Sequence, residues 1–248
     1  MDKDTILLSL VVPTYNEIAN LDPLLSRLHS SLRDISYEII FVDDNSPDGT
    51  GKILDSLADE YHLTVIHRKG KLGLASAVLE GFRVASGSIL GFMDADLSHP
   101  PETIPEMLRS ILERQADIVI GSRLVDGGGV IGQWPQHRYL NSYIAEVIAR
   151  PLTCVRDSMS GFVLLKRSVI ENVPLIPRGY KMGLEILVKG NYSKAQEVPI
   201  LFDNRKRGSS KLDCRTRWEY LVQIIDLYLY KARRVLKLSK RTKTVERN

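Results

Sequence analysis

Five short apolar runs constrain this chain to an alternating α/β sheet: Leu7 to Pro13, Tyr37 to Val42, Leu63 to His67, the run opening at Ile89, and Asp117 to Gly121. Amphipathic stretches with helical spacing lie between them, with inward faces Leu21, Leu24, Leu25, Leu28 and Leu32; then Ile53, Leu54, Leu57 and Tyr61; then Leu74, Ala77, Val78 and Phe82; then Ile104, Leu108 and Ile111. Strands that alternate with helices return in parallel and carry helices on both faces of the sheet. At 248 residues and 44% apolar content the chain is long enough to bury such a core.

The fourth run sets the chemistry. Ile89-Leu90-Gly91-Phe92 reads as a buried strand whose carboxyl end, Met93-Asp94-Ala95-Asp96-Leu97-Ser98-His99-Pro100, opens into the crevice where open α/β sheets bind ligands. If the extended conformation continues, Asp94 and Asp96 point the same way. Two carboxylates that close stay ionised together most easily beside a divalent cation, and hard oxygen donors suit magnesium or manganese holding a substrate phosphate. The plainer reading of the pair is a set of capping acids ahead of Pro100-Pro101-Glu102.

Charge is unevenly spread. The formal net charge is +4, but Lys231, Arg233, Arg234, Lys237, Lys240, Arg241, Lys243 and Arg247 face only Glu246 in the tail, which is therefore +7, leaving the rest at −3. Such a tail suits a solvated face, a nucleic-acid arm or an anionic membrane surface. No apolar run approaches the roughly 20 residues of a membrane span, and the N-terminus lacks a signal-peptide layout, so the expectation is a chain that stays in the cytosol as made unless cut from a longer protein. Cys154 and Cys214 sit in no metal or redox spacing and are expected as reduced thiols.

Beyond Arg123 the pattern loosens. Asp126-Gly127-Gly128-Gly129 reads as a mobile connection, Tyr139 to Ala149 as a helix, Ser160 to Leu165 as a strand and Tyr180 to Lys189 as a helix. Ala195 to Phe202 reads as a strand that Pro199 confines to an edge. The basic loop Asp203 to Lys211 is the natural clamp for phosphates, and the helix from Thr216 to about Leu238 carries Trp218, Leu221, Val222, Ile225, Tyr228 and Leu229 among basic residues. That helix either lies in a membrane interface or docks on the core.

The motifs, in order, are Val12-Pro13-Thr14-Tyr15-Asn16-Glu17, Val42-Asp43-Asp44-Asn45-Ser46-Pro47-Asp48-Gly49-Thr50, Lys71-Leu72-Gly73-Leu74, Met93 to Pro100, Gly121-Ser122-Arg123, and Arg205-x-x-Gly208-x-Ser210-Lys211. Together they closely resemble the dolichyl-phosphate mannosyltransferases, inverting nucleotide-sugar glycosyltransferases of family 2 with the GT-A fold. The resemblance implies that Pro13, Tyr15 and Glu17 line the nucleotide pocket, that Val42 and Asp44 hold the base or ribose, and that Asp94, Ala95 and Asp96 contact nucleotide and metal. Asp94, Asp96 and Ser98 are the implied ligands of Mg2+ or Mn2+. Arg123 and Arg138, with Ser142 nearby, would bind the acceptor phosphate, and Arg205 and Lys211 the donor diphosphate; Asp94, Asp96, Arg123, Arg205 and Lys211 form the implied catalytic set.

The implied reaction is inverting transfer of mannose from GDP-mannose to a dolichyl or other polyprenyl phosphate. A phosphate monoester is largely a dianion near neutral pH, with its second pKa near ~6, so no strong base is needed. The nearest rival uses UDP-glucose on the same acceptor; from other classes come a phosphate-accepting module and a nucleic-acid binder, the latter disfavoured by the acidic body. Residues 1–212 are the expected catalytic domain and 213–248 an amphipathic helix and basic tail. The expected location is peripheral, on the cytoplasmic face of the endoplasmic reticulum or of a plasma membrane, alone or with a small membrane-spanning partner and without nucleic acid.

Overall fold

The computed structural model describes residues 6–132, 136–176, 181–203 and 214–245. Strands β1 (Leu8–Thr14), β2 (Tyr37–Asp43), β3 (Leu63–His67) and β4 (Ile89–Phe92) alternate with helices α1 (Leu21–Leu32), α2 (Thr50–Tyr61) and α3 (Leu74–Val84). Helix α4 (Ile104–Leu112), β5 (Ile118–Ser122), β6 (Gly129–Ile131), α5 (Gln136–Ala149), β7 (Val163–Lys166), α6 (Met182–Lys189), β8 (Ala195–Pro199), β9 (Leu201–Asp203) and α7 (Cys214–Val245) complete the described chain. The large sheet has the order β3-β2-β1-β4-β7-β5-β8.

Strands β3, β2, β1 and β4 run parallel, and β7 is antiparallel to both β4 and β5. Two reversals cancel, so β5 points the same way as β4. The carboxyl ends of β1, β2, β4 and β5 therefore lie along one edge, with the topological switch between β1 and β4, the position at which open α/β sheets bind ligands. The five leucines Leu21, Leu24, Leu25, Leu28 and Leu32 of α1 are completely buried, and they share one apolar layer with Leu54 of α2 and with Ile104 and Met107 of α4. Ala77, Val78 and Phe82 of α3 and Met182 and Ile186 of α6 form the layer on the other face. Burying each such leucine contributes about 1.5–3 kcal/mol.

Several boundaries differ from the sequence expectation. The extended conformation does not run on through Asp96: β4 ends at Phe92, and the chain turns with Leu97 in the left-handed region at φ +64°. The glycine run after Arg123 is not merely a connection, since Gly129–Ile131 pairs in parallel with β9. The strand expected at Ala195 to Phe202 divides after Pro199; its first part is an edge strand beside β5, and its second leaves for β6. Asp203 N–H then donates to Ser98 O at 3.0 Å, which fixes the start of the basic segment beside the acidic turn. Cys154 is exposed and forms no disulfide.

Candidate active site

At the β1 and β2 ends, side chains knit two turns together. Asp43 accepts from the Thr14 hydroxyl at 3.0 Å and from the Ser46 hydroxyl at 2.5 Å, and Thr50 accepts the Glu17 N–H at 3.0 Å. Glu17 is buried and accepts from Asn20 Nδ2 at 2.8 Å. The Tyr15 ring carries Lys71 Nζ 4.5 Å from its centroid. Pro13 is half-buried, whereas Val42 is fully buried in the same layer as Ile40 and Val78.

Asp44 is held through both of its oxygens. One oxygen accepts from Arg68 at 2.6 Å and the other from the Gly73 N–H at 2.9 Å. Both side chains are almost fully enclosed. Asp44 thereby ties β2 to the Lys69 to Gly73 segment, and any ribose or base contact uses its remaining acceptor capacity.

The acidic turn is built on Ser98 and His99. Ser98, 1% exposed, donates its N–H and its hydroxyl to Asp96 Oδ1 at 3.1 and 2.5 Å. Its hydroxyl proton thus holds a carboxylate, and the oxygen keeps acceptor capacity toward the metal that the resemblance implies. His99 lies between the rings of Phe162 and Phe202, at 5.4 and 5.3 Å, and its Nδ1 accepts the Asp94 N–H at 3.3 Å. Burial pushes its pKa down to about 4, against the pull of Asp96, so the ring is neutral at pH 7 and can accept that bond. Ala95 is buried between the two acids, and Gly161 leaves room for Asp94: a Cβ there would stand 3.2 Å from Asp94 Oδ2.

Asp94 and Asp96 offer hard oxygen donors of the kind a divalent ion takes when other ligands complete its shell. The Asp94 side chain is 34% exposed and Asp96 is half-buried, and among the described residues no group of three or more His, Cys, Asp or Glu encloses a metal unaided. One or two carboxylates plus phosphate oxygens is the usual provision for magnesium in such sites.

Arg123 stands at the end of β5, but its fork is turned onto Asp157, with bonds of 2.7 and 2.6 Å and a third from its own N–H at 2.9 Å. Asp157 is completely buried and is oriented in turn by Glu197, which accepts its N–H at 3.0 Å. Burial opposes the guanidinium charge, yet the bonds to Asp157 prevail and hold the Arg123 pKa above its ordinary value. Arg138 and Ser142 lie one helical turn apart on α5, followed by Glu146, which accepts the Ser142 hydroxyl at 3.2 Å. Burial and the neighbouring Asp157 push the Glu146 carboxyl up. Lys181, ahead of α6, donates to Met159 O at 2.7 Å and interacts electrostatically with Arg123, Asp94, Asp157 and Glu146.

The strand ends thus bring Tyr15, Glu17, Asp44, Asp94, Asp96 and Arg123 to one edge of the sheet. Arg205 and Lys211 lie outside the described residues. Arg68, His99, Glu146, Asp157 and Lys181 were not singled out by sequence reasoning; only His99, inside the acidic motif, had a local signal.

Residues 9–174 match the family described as Glycosyl transferase family 2. The chain is 44% identical over 237 residues to a dolichol-phosphate mannosyltransferase of Pyrococcus furiosus, covering 93% of this chain and 67% of that protein. It is 39% identical over 235 residues to the Saccharomyces cerevisiae dolichol-phosphate mannosyltransferase, covering 90% and 87%. Among solved structures, a Pyrobaculum calidifontis mannosyltransferase in complex with GDP-Man and Mn2+ superposes with TM-score 0.59 at 17% identity, over 94% of this chain and 66% of that one. Glucosyl-3-phosphoglycerate synthase of Mycobacterium tuberculosis superposes with TM-score 0.61 at 20% identity, over 91% and 80%. These two likenesses concern the fold, which is the GT-A fold expected from the motifs. The chain belongs to glycosyl transferase family 2 and, within it, to the dolichol-phosphate mannosyltransferases.

Proposed function

We propose that this chain transfers mannose from GDP-mannose to dolichyl or another polyprenyl phosphate, with inversion at the anomeric carbon. The observation that carries the reading is the identity of 39–44% to dolichol-phosphate mannosyltransferases over 90–93% of this chain. These relatives are mannosyltransferases by name, and the UDP-glucose alternative is not favoured.

In this reading Tyr15, Glu17 and Asp44 bind the nucleoside, and Asp94 and Asp96 hold Mg2+ or Mn2+, which when bound supplies positive charge at the donor diphosphate. Ser98 and His99 keep the two acids in place. Arg123 and Arg138, with Ser142, hold the acceptor phosphate, while Arg205 and Lys211 hold the donor diphosphate. A phosphate oxygen forms the bond to C1 as the bond from C1 to the diphosphate oxygen breaks, and the electron pair leaves with GDP. The acceptor is already deprotonated, so the protein's work is to align two anions and stabilise the departing charge.

The C-terminal helix supplies a route to the lipid. Tyr220, Ile224 and Leu227 of α7 pack with Ala149 of α5 and Leu184 of α6, and Tyr220 donates to Ala145 O at 2.8 Å. The outer faces stay apolar: Trp218, Leu221, Ile225 and Leu229 on α7, and Leu140, Tyr143, Ile144 and Val147 on α5. Docking on the core and presenting an apolar stripe are thus both features of α7. No helix among the described residues is long and apolar enough to cross a membrane. We infer that these faces, with the basic tail, seat the catalytic domain on the cytoplasmic face of an anionic membrane.

Incubation with radiolabelled GDP-mannose or UDP-glucose, polyprenyl phosphate and Mn2+ tests the reading. Lipid-extractable label from GDP-mannose alone supports it; label from UDP-glucose alone, or from neither, overturns it.

A further inference from the structure

Lys181 is a cation at the site that no motif accounts for. Its stem is half-buried, and its backbone is fixed by Gln223 of α7, whose Nε2 donates to Lys181 O at 3.2 Å. Its ammonium donates to Met159 O at 2.7 Å. The charged groups that act on it come from four elements: Asp94 beyond β4, Arg123 at the end of β5, Glu146 of α5, and Asp157 in the connection before β7. Met159 lies between Asp157, which holds Arg123, and Gly161, against which Asp94 packs, so the ammonium sits on the segment that links the arginine assigned to the acceptor with the acid assigned to the donor's metal.

The charge balance gives this position a use. Asp94, Asp96, Glu146 and Asp157 oppose only Arg123 and Lys181 among these groups, and a divalent ion on the acid pair makes the set neutral. A donor diphosphate and an acceptor phosphate dianion then add about four negative charges, of which Arg138, Arg205 and Lys211 in the reading above offset about three, so the site has no cation to spare. Arg123 has turned its fork onto Asp157, which limits what it can give a phosphate. An ammonium on a flexible four-carbon stem is a movable point charge and can swing toward an incoming anion without shifting its backbone.

We propose that Lys181 binds the acceptor phosphate together with Arg123, on the side facing the donor, and so aligns the attacking oxygen with C1. It gives up no proton in the step. The inference rests on the transfer reaction proposed above.

The test uses the full chain, GDP-mannose, Mn2+ and a water-soluble short-chain polyprenyl phosphate, so that membrane contact does not enter. A charge-assisted contact predicts that Lys181→Met raises the acceptor KM about tenfold or more. The Kd for GDP-mannose, measured by calorimetry, should stay within about twofold, and Lys181→Arg should recover part of the acceptor affinity. If Lys181→Met melts below the assay temperature, Lys181→Gln, which keeps a donor toward Met159 O, is read by the same criteria. An acceptor KM within twofold of wild type, or equal losses for donor and acceptor, would overturn the proposal while leaving the transfer reaction standing. A wild-type chain that transfers no mannose would overturn both.

Discussion

Ser98 gives both of its donors to one oxygen of Asp96, the N–H at 3.1 Å and the hydroxyl at 2.5 Å. The buried serine thereby fixes the carboxylate in the turn that follows β4, with Leu97 at φ +64°. A group that orients a metal ligand typically changes metal affinity about 10- to 100-fold when removed. Ser98→Ala should raise the Mn2+ concentration needed for half-maximal transfer by that order, and Ser98→Thr should restore it. An unchanged metal dependence in Ser98→Ala would remove serine from this role.

Asp157 and Arg123 are a buried pair, 0% and 11% exposed by side chain. Removing one partner leaves the other charge uncompensated, which costs about 3–5 kcal/mol. Asp157→Ala should lose that much stability in urea denaturation. A loss under about 1 kcal/mol, the value of an exposed pair, would show that the site is wetter than its geometry implies.

His99 makes stability depend on pH. Its folded pKa is about 4, below the ordinary 6.5, so the unfolded chain takes up the proton first as pH falls. Its contribution is complete above about 6.5 and declines as pH drops toward 4, by an amount on the order of 3 kcal/mol. Urea midpoints for wild type and His99→Phe, measured from pH 7 to 4.5, should converge as the wild type loses this contribution. Parallel curves would contradict the burial argument.

The apolar outer stripe of α7 should decide membrane contact. Leu221 and Ile225 are 45% and 58% exposed, so changing both to serine should cost little stability yet move the chain from anionic vesicles to the soluble fraction in flotation. Deleting the residues after Arg215 should do so more completely. Flotation that persists after the deletion would place the contact elsewhere.

The fold was largely legible because its signals are local. The leucine spacing of α1 and the apolar runs of β1, β2 and β4 carry period and length in the sequence itself. Insertion of β7, antiparallel, between β4 and β5 was not legible, since pairing across 43 to 77 residues leaves no periodic trace. The bend after Phe92 was missed because Leu97 gives no glycine-like warning of its positive φ. At the site, acids and arginines at strand ends could be named, but their partners could not. Asp157 and Lys181 belong to no sequence motif, and their meaning arises from Arg123 and Met159 being folded against them.

In the proposed reaction Asp94 and Asp96 hold a cation through which the sugar nucleotide is gripped. Calorimetric titration of GDP-mannose into the wild-type chain and into Asp96→Asn, each with Mn2+ or with EDTA, tests it most directly. Binding is expected in wild type with Mn2+, with loss of most affinity both in EDTA and in Asp96→Asn. Equal affinity in all four titrations would contradict the account.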